Sequence, residues 1–338
     1  EANPALAIKA VKLRQYGQEI IRRLSGRRIH MHWAVPGGVS TPLSAEDRDW
    51  MLSQVDEMIG YIQEGIDVAK GWVGANQDVI QNFANFPSNY MGMVKDGAVE
   101  LYEGDLRVVD SKGNFVAEFS PCDYLDYIAE KVEDWSYLKF PYLKRFGWPN
   151  GVYRVAPLAR LNVADRMATP LANKEFANFK ALSDGPVEPS LYYHYARLIE
   201  DLSAAERVRE LCEDPDILSE DIRDTTMNIT GQGVGCIEAP RGTLWHHYWT
   251  DEDGKITKAN LIVATGNNNW AMNHAVNLVA KTFIDGKNVT EGMLNRVEAA
   301  IRCYDPCLSC STHALGQMPL LVDIVDAEGG LVERFQRD

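Results

Sequence analysis

The sequence predicts one intertwined α+β body, predominantly helical, with small antiparallel β-sheets. Three observations predict it. Apolar residues recur at helical spacing in several long segments. Short β-prone runs lie between them, separated by Gly-containing hairpin turns. No Pro-, Ser- or Gly-rich linker divides the 338 residues, so 1–338 reads as a single domain.

The elements follow in order. Asn3-Pro4 predicts a helix start with Pro at the first helical position. Leu6, Leu13, Ile20 and Leu24 keep helical spacing, and Ser25-Gly26 ends that helix. Residues 27–39 form a Gly/Pro-rich connection. Ser44 with Asp47 is a loose capping box that opens a second helix carrying Trp50, Val55, Met58, Ile62, Ile66 and Trp72. Over 91–119, β-prone runs alternate with Lys95-Asp96-Gly97 and Ser111-Lys112-Gly113-Asn114, which predicts a small antiparallel sheet. Residues 122–146 read as helical and then aromatic, interrupted by Pro141. A long helix is expected over 190–211, ending before Asp214-Pro215. Residues 233–250 and 255–265 are two β-prone runs around Asp253-Gly254. His246 and His247 fall on that strand, so alternation sends one to the core and one to the other side. Helices are expected near 270–284 and 290–303. Residues 314–338 read as strand, Glu328-Gly329-Gly330 turn, strand.

Composition removes several function classes. The chain has 34 basic and 48 acidic side chains and a net charge of −14, a poor balance for binding nucleic acid. An apolar fraction of 46%, with 8 Trp, 14 Tyr and 10 Phe, excludes disorder. No run of about 18 apolar residues occurs, so no membrane span is predicted. Without a secretory pattern the default compartment is cytoplasmic. Six cysteines in a chain of this length are not a disulfide scaffold. Cys122, Cys212 and Cys236 read as buried small hydrophobes.

The chemistry concentrates in Asp305-Pro306-Cys307-Leu308-Ser309-Cys310-Ser311-Thr312-His313. Two thiolates separated by two residues can turn toward one metal, and soft sulfur suits nickel, iron and zinc. Pro306 stops the preceding helix and fixes the approach of Cys307. His313 could add a nitrogen ligand. Four readings compete at this point. A structural zinc site usually needs a second such pair, which the sequence lacks, although Cys303 and His313 could complete a local set. Thioredoxin-like redox chemistry needs a strand leading into a helix that opens with the motif, whereas here a helix precedes it. Two structural cysteines at a helix end are a third reading. Half of a binuclear metal site is the fourth.

Asp-Pro-Cys-x-x-Cys-x-x-His near the C-terminus resembles the C-terminal signature of nickel–iron hydrogenase large subunits. The resemblance extends to Ala34-Val35-Pro36-Gly37-Gly38-Val39 and to Trp135-Ser136-Tyr137-Leu138-Lys139-Phe140-Pro141-Tyr142. It continues through Leu158-Ala159-Arg160-Leu161-Asn162-Val163, Glu238-Ala239-Pro240-Arg241-Gly242 and Leu261-Ile262-Val263-Ala264-Thr265. The cytoplasmic, cofactor-coupled branch is most similar, both its heterodisulfide-reductase-linked (methyl-viologen-reducing) and its bidirectional NAD-linked members. The resemblance implies a hydrogenase-like helical core with small antiparallel sheets, and reversible heterolytic cleavage of dihydrogen. It implies that Cys307 is a terminal nickel ligand and that Cys310 bridges nickel to an iron carrying cyanide and carbon monoxide. It places Arg241 over the open metal position and Thr265 on a cyanide. It gives the Leu261 carbonyl and the His313 side chain to a magnesium site. Ala264 departs from the family's usual Pro.

Two further departures matter. The family draws four thiolates from two Cys-x-x-Cys pairs, and this chain carries only the second. It also lacks the early acidic magnesium ligand and the proton-relaying Glu beside the first pair. The expectation is a truncated N-terminus. Mature relatives end at the motif His, whereas 338 − 313 = 25 residues follow His313 here. Residues 314–338 are therefore expected to be a maturation tail, removed by a protease after nickel delivery by a chaperone. With few cysteines for clusters of its own, the chain would pass electrons to an iron–sulfur small subunit. Partner subunits linked to NAD, heterodisulfide reductase or ferredoxin would follow, since no Gly-rich phosphate loop occurs here. The competing reading is a metal-free relative such as the quinone-site subunit of respiratory complex I. Both motif cysteines, His313 and the tail argue against it.

Overall fold

The computed structural model describes residues 3–29, 31–226, 228–284, 289–307 and 320–337. Helix α1 (Pro4–Ser25) starts where the sequence predicts. The Asn3 side chain accepts the Leu6 N–H at 3.2 Å, and Gly26 at φ 74° closes the other end. The Gly/Pro-rich connection makes a short hairpin, β1 (Ala34–Val35) with β2 (Gly38–Val39). It is clamped to a distant segment by Val39 N–H donating to the Ile222 carbonyl and Asp224 N–H to the Gly37 carbonyl, each at 3.0 Å. Glycine is required there: a Cβ on Gly37 would lie 1.9 Å from the Asp224 oxygen, and one on Gly38 2.1 Å from that of Ile222.

Helix α2 (Ala45–Ala75) begins at the Ser44 cap, whose hydroxyl accepts the Asp47 N–H. Met51, Val55, Met58, Ile59, Ile62 and Ile66 form its buried stripe, each stabilising the fold by about 2 kcal/mol. Helix α3 (Gln77–Asn82) leads into the predicted sheet: β3 (Asn89–Lys95), β4 (Ala98–Val99), β5 (Asp105–Val109) and β6 (Phe115–Phe119), in the order β4-β3-β5-β6.

Residues 122–146 differ from expectation. Helix α4 (Tyr124–Tyr127) is a single turn, and the rest is an antiparallel hairpin of β7 (Ile128–Glu133) and β8 (Ser136–Leu143). Aromatic residues suit a pleated surface. Pro141 is tolerated because it lies opposite Glu130 in a two-stranded sheet, where a missing N–H can face away from the ladder. Strand β9 (Tyr153–Arg154) then pairs with β3 in parallel, so the first sheet is mixed rather than purely antiparallel.

Two helices not predicted follow, α5 (Pro157–Val163) and α6 (Pro170–Lys180). Every residue of α5 is buried. It packs so closely on β3 that a Cβ on Gly92 would lie 2.9 Å from Arg160 Cγ. Helix α7 (Tyr192–Glu213) is the expected long helix and packs along α2. The β-prone run 233–250 is broken into β10 (Gln232–Ala239) and β11 (Gly242–Thr250), which with β12 (Ile256–Ile262) make a three-stranded antiparallel sheet. The last strand stops earlier than predicted, and α8 (Ala264–Asn267) takes over. Helices α9 (Asn269–Phe283) and α10 (Glu291–Cys303) follow as expected. A C-terminal hairpin of β13 (Leu320–Val325) and β14 (Leu331–Arg337) turns through Gly329 at φ 87°. No helix among the described residues is long and apolar enough to cross a membrane.

Helix α6 has no side-chain cap of its own at Thr169. The cap comes from α7: the two carboxylate oxygens of buried Glu206 accept Leu171 N–H at 2.8 Å and Ala172 N–H at 2.9 Å. A negative charge also suits a helix N-terminus. Glu206→Ala is therefore expected to cost about 2–3 kcal/mol in urea unfolding, with Glu206→Gln recovering part of the loss.

Candidate active site

Strands β10 and β11 meet at the pair Ala239↔Gly242, which leaves Pro240-Arg241 as a two-residue turn. Gly242 sits at φ 126°, and a Cβ there would lie 2.2 Å from Val155 Cγ2. The turn is therefore pressed onto the segment that leads into α5. Arg241 projects from it to the loop after α10. Its Nε donates to the Asp305 carbonyl at 2.5 Å, and its Nη2 lies 3.3 Å from Asp305 Oδ2. Asp305 is left-handed, at φ 49°, immediately before Pro306. Arg241 thus grips the strained residue that turns the chain toward Cys307.

Thr265 holds the other side of this loop. It is 3% exposed on α8, and its Oγ1 accepts the Cys307 N–H at 3.1 Å. Asn267 on the same short helix accepts Tyr153 Oη–H at 2.6 Å and donates to the Thr243 carbonyl at 2.8 Å. Asn268 Oδ1 accepts Val155 N–H at 2.9 Å. Helix α8, strand β11 and the approach to α5 are in this way fastened together behind Cys307.

Arg241, Thr265 and Cys307 are brought together. Leu261 stands apart from them: it pairs with His246 on the exposed face of β12, 45% exposed, while its neighbour Ile262 pairs with buried Trp245. Cys310 and His313 lie outside the described residues. Of the two strand histidines, His247 is the buried one, 1% exposed, with Nδ1 3.0 Å from the Tyr124 hydroxyl and with no partner for Nε2 among the described residues. His246 faces outward and bonds the Tyr248 hydroxyl. Cys212 is buried as expected, but Cys236 is half-buried and Cys122 exposed, because the short turn Pro121–Asp123 leaves it at the surface.

Sequence reasoning missed Asp305 as a partner of Arg241, and it missed what stands behind the turn. Glu238 accepts Thr243 Oγ1–H at 2.6 Å and Arg160 Nη1–H at 2.6 Å. Burial pushes its carboxyl up, and the adjacent Arg160 works against that. Both residues sit in segments that carry the family resemblance. Their charge in otherwise apolar segments was the available signal, because a buried Arg or Glu is rare unless paired.

The donor chemistry fits one sulfur side of a nickel site. Cys307 offers a soft ligand whose backbone is fixed by Thr265 and whose approach is set by Asp305-Pro306. Cys307 is disulfide-bonded, and reduction of that bond would free its thiolate for a metal. Among the described residues no group of three or more His, Cys, Asp or Glu side chains gathers as a complete cage.

Known proteins are similar to this chain in sequence and in fold. The family described as nickel-dependent hydrogenase matches residues 98–313. The chain belongs to the nickel-dependent hydrogenase family. It is 45% identical to the NAD-reducing hydrogenase HoxS subunit beta of Cupriavidus necator over 348 residues, covering 100% of this chain and 71% of that one. It is 43% identical to an F420-non-reducing hydrogenase chain of Methanothermobacter thermautotrophicus, covering 98% and 71%. Among solved structures, an NAD+-reducing [NiFe]-hydrogenase in the H2-reduced state superposes with a TM-score of 0.88 at 40% identity, over 92% of this chain and 69% of that one. These similarities agree with the cofactor-coupled branch and with a large-subunit fold, and they set aside the zinc, redox-module and complex I readings of the motif.

Two expectations follow from the site. Thr265→Val keeps the shape but leaves the Cys307 N–H without its acceptor, a loss of about 1–3 kcal/mol in chemical unfolding, whereas Thr265→Ser should be nearly silent. The second concerns pH. Burial, with Lys258 adding to it, holds His247 below the ordinary imidazole value. Stability from a lowered histidine is complete above its unfolded pKa and is lost as pH falls below about 6.5. The stability lost between about pH 7.5 and about 5.5 should be smaller in His247→Gln. It should not vanish, because burial holds His194 and His274 low as well.

Proposed function

We propose that this chain is the catalytic large subunit of a nickel–iron hydrogenase, performing reversible heterolytic cleavage of dihydrogen into protons and electrons. The observation that carries the reading is the convergence of Arg241 and Thr265 on the two ends of Asp305-Pro306-Cys307. Cys307 and Cys310 would hold nickel, with Cys310 shared with an iron that bears cyanide and carbon monoxide. The Leu261 carbonyl and His313 would serve a magnesium ion. When bound, the metals supply the Lewis acidity that makes dihydrogen acidic.

The chain's own residues then have separable tasks. Arg241 is a planar cation with directed N–H donors, two of them already used on Asp305. The donors left over can hold an anionic ligand and keep its orientation. Thr265 uses one lone pair for the Cys307 N–H, so its own hydroxyl hydrogen is left to donate toward a cyanide. Gly242 lets the turn seat against Val155 so that Arg241 reaches the loop at all. A proton released at the site could be taken by the sulfur of Cys307 or Cys310, or handled at Arg241.

The electrons would leave to a small subunit with iron–sulfur clusters. The names of the similar proteins, NAD-reducing in one case and F420-non-reducing in the other, support a cytoplasmic complex with further electron-transfer subunits. Nickel delivery by a chaperone and proteolytic removal of residues 314–338 complete the proposal. The test is Cys307→Ser in the complete hydrogenase complex. Hydrogen oxidation with a viologen dye should fall below about 1% of wild type, as a hard hydroxyl replaces the soft sulfur, and nickel per complex should fall with it. Retained hydrogen oxidation would overturn the assignment.

A further inference from the structure

Arg160 lies on the short helix α5 and is 1% exposed. A guanidinium has five N–H donors in a rigid plane. Here all five are used, and the pattern of use is informative. Nε and Nη2 form a two-pronged fork on Glu200 of α7, at 2.6 and 2.7 Å. The remaining donors go to three consecutive residues: Nη1 to the Glu238 carboxylate at 2.6 Å and to the Ala239 carbonyl at 3.0 Å, and Nη2 to the Pro240 carbonyl at 3.2 Å. The next residue is Arg241.

The side chain has little freedom to do otherwise. Its stem is packed against Gly92 of β3, where a Cβ would approach Arg160 Cγ to 2.9 Å. Glu200 fixes the rotation of its plane. Glu238 continues the contact through Thr243 to the Asn267 amide, on the helix that carries Thr265. One buried plane therefore sets the path of the chain over residues 238–240, and a turn of two residues has no slack to correct an error in it.

We propose that Arg160 is a positioning residue for hydrogen cleavage, a fixed template that aims Arg241 at the Asp305–Cys307 loop. This rests on the hydrogenase reading of the same site. Arg160 touches no reacting atom and acts through the geometry of the turn.

The test uses the complete metal-loaded complex. Arg160→Lys keeps the positive charge but replaces the fork with an ammonium. The turnover rate for hydrogen oxidation should fall about 100-fold, the scale of a misplaced catalytic group, while KM for dihydrogen and nickel content stay near wild type. Hydrogen exchange at the amides of Ala239, Arg241 and Gly242 should quicken at least about 10-fold as the turn loosens. In an Arg241→Lys background, adding Arg160→Lys should cause no further loss of rate, because the side chain being aimed is already replaced. Unchanged rate and exchange in Arg160→Lys, or losses that multiply in the double variant, would overturn the proposal. If Arg160→Lys does not assemble, Glu200→Gln is read by the same exchange at the turn, since it weakens the anchor and leaves Arg160 in place. A wild-type complex with nickel but no hydrogen activity would instead sink the hydrogenase reading, and the exchange comparison would still decide whether Arg160 orders the turn.

Discussion

A buried guanidinium has no water to solvate it, so every N–H must find an acceptor inside the protein. Arg160 meets this demand by collecting acceptors from α7 and from the last residues of β10. The consequence is mechanical. Segments separated by 40 to 80 positions in sequence must arrive together before the charge is satisfied. The turn that carries Arg241 is thereby tied to the helical core, although it belongs to a small sheet with an exposed outer face.

Such a device is expensive. Burial works against the charge of Arg160, and the two carboxylates of Glu200 and Glu238 keep it firmly protonated. A well-packed apolar cluster of similar volume would often be at least as stable. What the ion cluster adds is direction, since five donors in a plane accept few arrangements. Arg154 shows the same placement with a different partner set. It is fully buried and donates to the Ser88 and Tyr90 hydroxyls and to the Phe86 and Glu188 carbonyls, with its plane over the Phe86 and Tyr90 rings. Both arginines lie within seven positions of each other, and Val155 between them is the residue that Gly242 and Asn268 lean on.

The legible part of the fold is the part governed by local rules. Caps and apolar spacing locate α1 and α2, Asp214-Pro215 marks the end of α7, α9 and α10 lie where helices are expected, and Gly-containing turns locate the first sheet and the C-terminal hairpin. The hairpin over 128–143 reads as helical and then aromatic because periodicity is ambiguous where aromatic residues cluster. Helix α5 has no polar face to create a period, since all of it is buried. The break between β10 and β11 needs only two residues, too few to interrupt a β-prone run. In the site, Arg241, Thr265 and Cys307 are legible through the family motifs that contain them. Asp305, Asn267 and the role of Arg160 are not, because each contact joins segments whose proximity is a property of the tertiary fold.

The site is thus built from two parts. One is a scaffold of α5, α8 and the β10–β11 turn, in which Arg160, Glu238, Thr243 and Asn267 form a continuous buried chain of hydrogen bonds. The other is the loop after α10, which carries Cys307. Two contacts from Arg241 to Asp305 and one hydrogen bond from Cys307 to Thr265 join them. Preorganised donors act without rearranging when charge changes at the centre. The donors Arg241 and Thr265 stand on the buried scaffold and hold the loop that carries Cys307, which explains why so much buried charge lies behind them.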